Sequence, residues 1–81
     1  MADVKVTYDP KANAAYVYLA SPEAGHRVAR MYACDPVEVG GMINLDLDES
    51  GRLIGIEVLH ASSKLPRRLL EAAERPNVGN E

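Results

Sequence analysis

MINLDLDESGRLIGIEVLH, from Met42 to His60, has two readings, and the choice between them decides the fold. Its middle, DLDESGRLIGIE (Asp46 to Glu57), spells a calcium loop, with Asp46, Asp48, Ser50, Gly51 and Glu57 at the usual ligand and turn positions of an EF-hand. The flanks spell something else. Ile43, Leu45 and Leu47 alternate with Asn44, Asp46 and Asp48, the period of a half-buried strand. ESG places a glycine where a tight turn needs positive φ. After it, Ile54, Ile56 and Val58 alternate with Leu53, Gly55, Glu57 and Leu59. An EF-hand needs a helix on each side of its loop, whereas GGMINL upstream offers two glycines and alternation. On an extended return strand, at ~3.3 Å per residue, Glu57 would lie on the order of 20 Å from the turn, out of reach of an ion held by Asp48 and Ser50. The stretch therefore reads as a β-hairpin. Asp48 and Ser50 satisfy turn amides, Gly51 takes the positive φ, and Asp46 and Asp48 face solvent.

Upstream, VKVTY (Val4 to Tyr8) alternates as a strand, and AAYVYLA (Ala14 to Ala20) reads as its return partner. Between them, Asp9 before Pro10 opens a turn and Asn13 tolerates a left-handed backbone. SPEAG (Ser21 to Gly25) is a loop by composition. HRVARMYAC (His26 to Cys34) alternates again, although Arg30 leaves its buried face ambiguous. DPVEVGG (Asp35 to Gly41) has turn residues at both ends and room for a bulge. Downstream, SSKLPRRLLEAAERP forms a short amphipathic helix. Ser62 or Ser63 caps it, Pro66 sits in its first turn, and Pro76 ends it. Leu65, Leu69, Leu70 and Ala73 make its apolar stripe. The strands follow one another too closely for parallel crossovers. The fold class is therefore α+β, an antiparallel β-meander of about five short strands with one C-terminal α-helix.

A chain of 81 residues allows one domain, expected over residues 1–76, with 77–81 a frayed tail. A domain this small has a thin stability margin. A single cysteine, Cys34, permits no internal disulfide and fits a reducing, cytoplasmic location. MADVKVTYDP has no apolar signal-peptide core, and no run approaches the ~18 apolar residues of a membrane span. A homo-oligomer, a dimer first, is the expected source of added stability. A net charge of −3 argues against nucleic acid as the main partner. Acids cluster from Asp35 to Glu57 and bases from Lys64 to Arg75. That asymmetry is either a pair of solvated faces or complementarity within or between subunits.

Few residues suggest chemistry. Cys34 ends a strand and reads as a small, buried or half-buried apolar residue; no basic cluster stands near it to activate the thiol. His60 marks the junction between the last strand and the helix, and His26 lies in a loop. A zinc site needs three or four such ligands with close pairs, which this spacing does not supply. No phosphate-binding glycine loop, Ser-His-Asp pattern or HExxH occurs, so no catalytic residue, cofactor or metal is assigned. The helix offers an interaction patch of Leu65, Arg67, Arg68 and Leu69. The alternative is a small enzyme or ligand-binding protein with its site near Tyr16, Tyr18, Tyr32 and His60.

Three blocks, VTYDPKANAAYVYL, VARMY and INLDLDESGRLIGIEVLHAS, together resemble the small bacterial and archaeal family known as domain of unknown function 2283. The likeness runs from Val4 to Lys64. Lys11 and Asn13 stand where that family usually has acids, His60 stands where it commonly has Asp, and DPVEVGG is longer than typical. The resemblance carries over no catalytic residues. It implies a partner-binding role, one form of which is an antitoxin-like partner of a small toxin. Residues and resemblance together lead to the expectation of a non-catalytic protein-interaction module with a heterologous protein partner or a second copy.

Overall fold

Antiparallel pairing joins five strands into one sheet: β1 (Lys5–Asp9), β2 (Ala14–Tyr18), β3 (Arg30–Ala33), β4 (Ile43–Leu47) and β5 (Leu53–Leu59). The structure, a computed structural model, describes residues 4–20 and 27–75. The SPEAG loop, His26, the stop at Pro76 and the 77–81 tail lie outside the described residues. The strand order is β1-β2-β5-β4-β3, so the sheet is not a simple meander. β3, β4 and β5 do follow one another as neighbours. The β1–β2 hairpin, however, adds its second strand to β5, so β2 and β3, consecutive in sequence, stand on opposite sides of the central pair. Closeness in sequence excludes parallel crossovers but leaves open which edge a hairpin joins, and here burial of Ala15 against Val58 accompanies the choice.

The central hairpin forms as its alternation requires. Asp48 Oδ1 accepts the N–H groups of Ser50 and Arg52, both at 2.9 Å, and the Ser50 hydroxyl at 3.0 Å. Gly51 has φ 84° and open space around its Cα, so the backbone angle alone calls for glycine. A register shift follows: Asp46 stands opposite Gly55, but Leu47 stands opposite Leu53. The irregularity expected in DPVEVGG thus lies here, while Asp35 to Gly40 forms one helical turn, α1 (Pro36–Val39). Asp35 caps it by accepting the Val37 N–H at 2.9 Å, Pro36 occupies its first turn, and Gly40 ends it at φ 69°.

The β1–β2 turn is held by Asp9, whose Oδ1 accepts from the N–H of Lys11 at 3.0 Å, and by Asn13 at φ 54°. Asn13 also reaches the far end of the chain. Its carbonyl accepts the Ala61 N–H, its Oδ1 accepts the Ser62 N–H, and its Nδ2 donates to Ser62 Oγ. Ser62 is therefore engaged in a 3-10 turn, Ala61–Ser63, and does not cap the helix; Ser63 gives its hydroxyl to the His60 carbonyl. The helix, α2 (Arg67–Ala72), is shorter than the sequence suggested and starts after Pro66, which stands just before its first turn. Ala73 leaves it with extended geometry, and Arg75 covers the end by donating to the carbonyls of Leu70 and Ala73.

Strand register separates the two faces. The row Tyr8–Ala15–Val58–Ile43 crosses four strands on one face. There Ala15, Val58, Ala61 and Leu70 are buried, with Tyr8, Ile43, Ile56 and Leu65 packed around them. No large side chain is fully buried among the described residues. α2 packs near β1, and the chain beyond it runs along β1's outer edge. Glu74 donates its N–H to the Val6 carbonyl and accepts the Tyr8 N–H, each at 2.9 Å.

Candidate functional site

The face opposite the core carries two polar rows. One runs Thr7–Tyr16–Glu57–Asn44–Ala33 across all five strands, and its neighbour runs Lys5–Tyr18–Gly55–Asp46–Met31. Period-two alternation in each strand sends these residues away from the leucine and valine side. Tyr16 starts in the first row and ends in the second: its hydroxyl donates to Asp46 Oδ2 at 2.6 Å. The path crosses Gly55 on β5, where any Cβ would collide with the Tyr16 hydroxyl. The sequence marks Gly55 as a break in a strand without saying what approaches it. Asn44, buried although polar, donates to Glu57 Oε1 at 3.0 Å. Tyr18 stands edge-on to Tyr16 with ring centroids 4.5 Å apart, and the Lys5 ammonium lies 5.5 Å from the Tyr18 ring.

Partial burial pushes the Tyr16 phenol far above the ordinary tyrosine range, with the hydrogen bond to the Asp46 carboxylate and its negative charge adding to the effect. Tyr16 thus remains a protonated donor and is not poised to act as a base or nucleophile. Asp46 does not face free solvent as its outward position suggested, because it is half-buried beneath this phenol. Asp48, in the turn, has its carboxyl held below its ordinary value, first by the Arg52 N–H and then by Ser50. The two carboxylates of the DLD motif therefore diverge, one into the sheet face and one into the turn. Among the described residues no three metal-binding side chains converge.

The tyrosine–histidine constellation does not assemble. Tyr16 and Tyr18 line an open depression of about 350 Å³ with Thr7, Asp9, Ala14 and Glu57. Tyr32 stands opposite Leu45 on the core face, and exposed His60, at φ 54°, heads the 3-10 turn at the end of β5. The helical patch divides. Arg67 and Arg68 are exposed in the first turn of α2, Leu65 packs against the core, and Leu69 lines a second depression between α2 and β1 with Val4, Val6 and Ala72. Cys34 is half-buried.

The sheet's two edges differ. β1 is covered by Glu74, whereas no described residue pairs with the outer side of β3, and all four β3 residues are exposed. Cys34 donates to the Ile43 carbonyl at 2.9 Å, in register with Tyr32 opposite Leu45. Because antiparallel bonding alternates, Tyr32 and Cys34 turn their backbone groups toward β4, and Met31 and Ala33 turn theirs outward. Met31 and Tyr32 are 59% and 61% exposed, so this edge shows a large apolar side chain on each face, with exposed Arg30 at its start. Such an edge invites pairing with another chain. The sequence displayed the strand but not its place at the rim.

Among families, the model described as "Protein of unknown function (DUF2283)" matches residues 5–62. Comparison with curated proteins gave no significant match, and comparison with solved structures gave none. No helix among the described residues is long and apolar enough to cross a membrane.

Proposed function

The chain belongs to the DUF2283 family, and from that premise we propose that it is a non-catalytic protein-interaction module. The observation that carries this reading is the contrast between the sheet edges. Natural sheets blunt their edges with covering segments, charges or bulges, as Glu74 does for β1. β3 has no covering segment among the described residues and presents outward backbone groups flanked by exposed Met31 and Tyr32, with Arg30 the one charge on the strand. Edge addition is a general way for one protein to recognise another, with main-chain bonds giving affinity and alternate side chains giving selectivity. The exposed pair Arg67 and Arg68, beside half-buried Leu69, is a second surface for an acidic protein partner. An antitoxin-like pairing with a small toxin is one form of this role.

The polar face supports the same reading. Its carboxylates Asp46 and Glu57 already accept hydrogen bonds from Tyr16 and Asn44, and the Tyr16 phenol is held protonated, so these groups serve structure and recognition. The test is mass measurement in solution combined with affinity purification of the tagged chain from its native cells. A stable homo-oligomer, or a second protein recovered in fixed stoichiometry, is the expected result. A chain that stays monomeric at every concentration and recovers no stoichiometric partner overturns the proposal.

A further inference from the structure

We propose that the open edge of β3 pairs with the same edge of a second copy of this chain, antiparallel about a two-fold axis at Tyr32. Two five-stranded sheets would then become one continuous sheet. The inference rests on the interaction-module reading and names its partner and surface.

Directly opposed residues in an antiparallel pair share a face of the sheet. A two-fold pairing of β3 with itself must therefore centre on a residue and not between two. Centring on Tyr32 sets Met31 against Ala33 of the second copy, and Ala33 against Met31. All the outward backbone groups of both copies are then used, in four hydrogen bonds. Centring on Met31 would set Ala33 against Ala29, whose N–H is already given to the Leu47 carbonyl. Centring on Ala33 would set Met31 against Asp35, whose side chain and carbonyl are committed to α1 through Val37 and Val39.

Charge selects a second copy over an unrelated strand. Exposed Arg27 and Arg30 lie at the start of this segment, and exposed Asp35 and Glu38 lie at its end. Antiparallel self-pairing lays the basic end of each copy beside the acidic end of the other. The segment is thus complementary to itself, as a two-fold interface requires. At the axis the two Tyr32 rings meet on the core face beside Leu45, removing apolar area that the short α2 does not cover. A small domain with a thin core gains most from such cover.

The register is tested by cysteine cross-linking. Tyr32 would face its own copy at a non-hydrogen-bonded position, where Cβ atoms come closest. Tyr32→Cys in a Cys34→Ser background should give a disulfide-linked dimer on mild oxidation; Met31→Cys in that background should not. In sedimentation, the unmodified chain should form a dimer. Tyr32→Lys, which sets like charges on the axis, should raise its dissociation constant about 100-fold or more. Met31→Pro removes an outward N–H that serves no bond among the described residues and should have the same effect with an unchanged circular dichroism spectrum. Val4→Lys, beside the covered edge, should change nothing. A dimer that survives both β3 substitutions overturns the β3 edge while the interaction-module reading stands. A monomer that instead recovers another protein in fixed stoichiometry overturns the second copy alone. A monomer without any partner overturns both.

Discussion

The Tyr16 hydroxyl reaches Asp46 across β5, passing over Gly55 to donate at 2.6 Å. This bond ties β2 to β4, strands that do not themselves pair. Tyr16→Phe keeps the ring and its edge-on contact with Tyr18 but leaves a half-buried carboxylate without its donor. The expected loss is about 1–3 kcal/mol, measured by urea denaturation at neutral pH.

The same bond predicts an alkaline limit. Tyr16 has a raised pKa in the folded state against ~10 when unfolded. Below pH ~10 the phenol is protonated in both states and its contribution is fully present. As the pH rises above that value the unfolded chain loses the proton first, so stability falls toward the folded pKa. Tyr16→Phe should lack this component of the alkaline decline, and ultraviolet difference titration against the unmodified chain should place the Tyr16 phenolate signal above the ordinary tyrosine range.

Gly55 is predicted to resist substitution because of Tyr16 and not because of its backbone, as its φ is not positive. Gly55→Ala should cost about 1–3 kcal/mol, the range for overpacking. In a Tyr16→Val background the added methyl has room, and its cost should largely disappear. The double-mutant cycle, read by denaturation midpoints, should thus show strong coupling between the two positions. Equal costs in both backgrounds would reject the collision.

These residues show what was legible in the sequence. The Ile43–Leu47 and Ile54–Val58 alternations gave strand identity and faces, and Asp48-Glu49-Ser50-Gly51 gave the turn, because both are local properties of the chain. The partner of Tyr16 was not legible, since it depends on which hairpin joins which edge. The same non-local choice put Tyr32 on the face opposite Tyr16 and left β3 at the rim. The helix boundary failed for a related reason. Ser62 has the chemistry of a cap, but Asn13, 49 positions earlier, takes its hydrogen bonds. Asp35-Pro36 before Gly40 did carry a local helix signal, the cap, first-turn proline and left-handed stop seen in α1.

The calcium-like turn makes a prediction in acid. The Asp48 carboxyl is held low by the Arg52 N–H and by Ser50. Its contribution is present above the unfolded value of ~3.9 and is lost as pH falls through the lower folded value. Asp48→Ala should therefore lower the melting temperature at neutral pH and flatten its dependence below pH ~4. Gly51→Ala should cost about 1–2 kcal/mol from the positive φ alone, since its surroundings are open. Gly51→Asn should cost less. Calcium should not raise the melting temperature, because the turn's own amides occupy Asp48; a rise that saturates with the ion would reject this reading.

Asn13 combines two roles that substitution can separate. Its backbone is left-handed at φ 54°, and its side chain bonds both Tyr8 and Ser62. Asn13→Gly relieves the backbone cost and removes only the side-chain bonds. Asn13→Ala removes the bonds and adds the left-handed penalty, roughly 1–2 kcal/mol. The alanine variant should therefore be the less stable by about that difference, measured by urea denaturation. Hydrogen exchange distinguishes the second role. In both variants the Ser62 amide loses its acceptor at 2.9 Å and should exchange faster, while the Ala61 amide, bonded to the Asn13 backbone carbonyl at 3.0 Å, should keep more of its protection in the glycine variant, whose turn retains its shape. Equal protection of Ser62 in the unmodified chain and in both variants would show that the side-chain bond does not hold this junction.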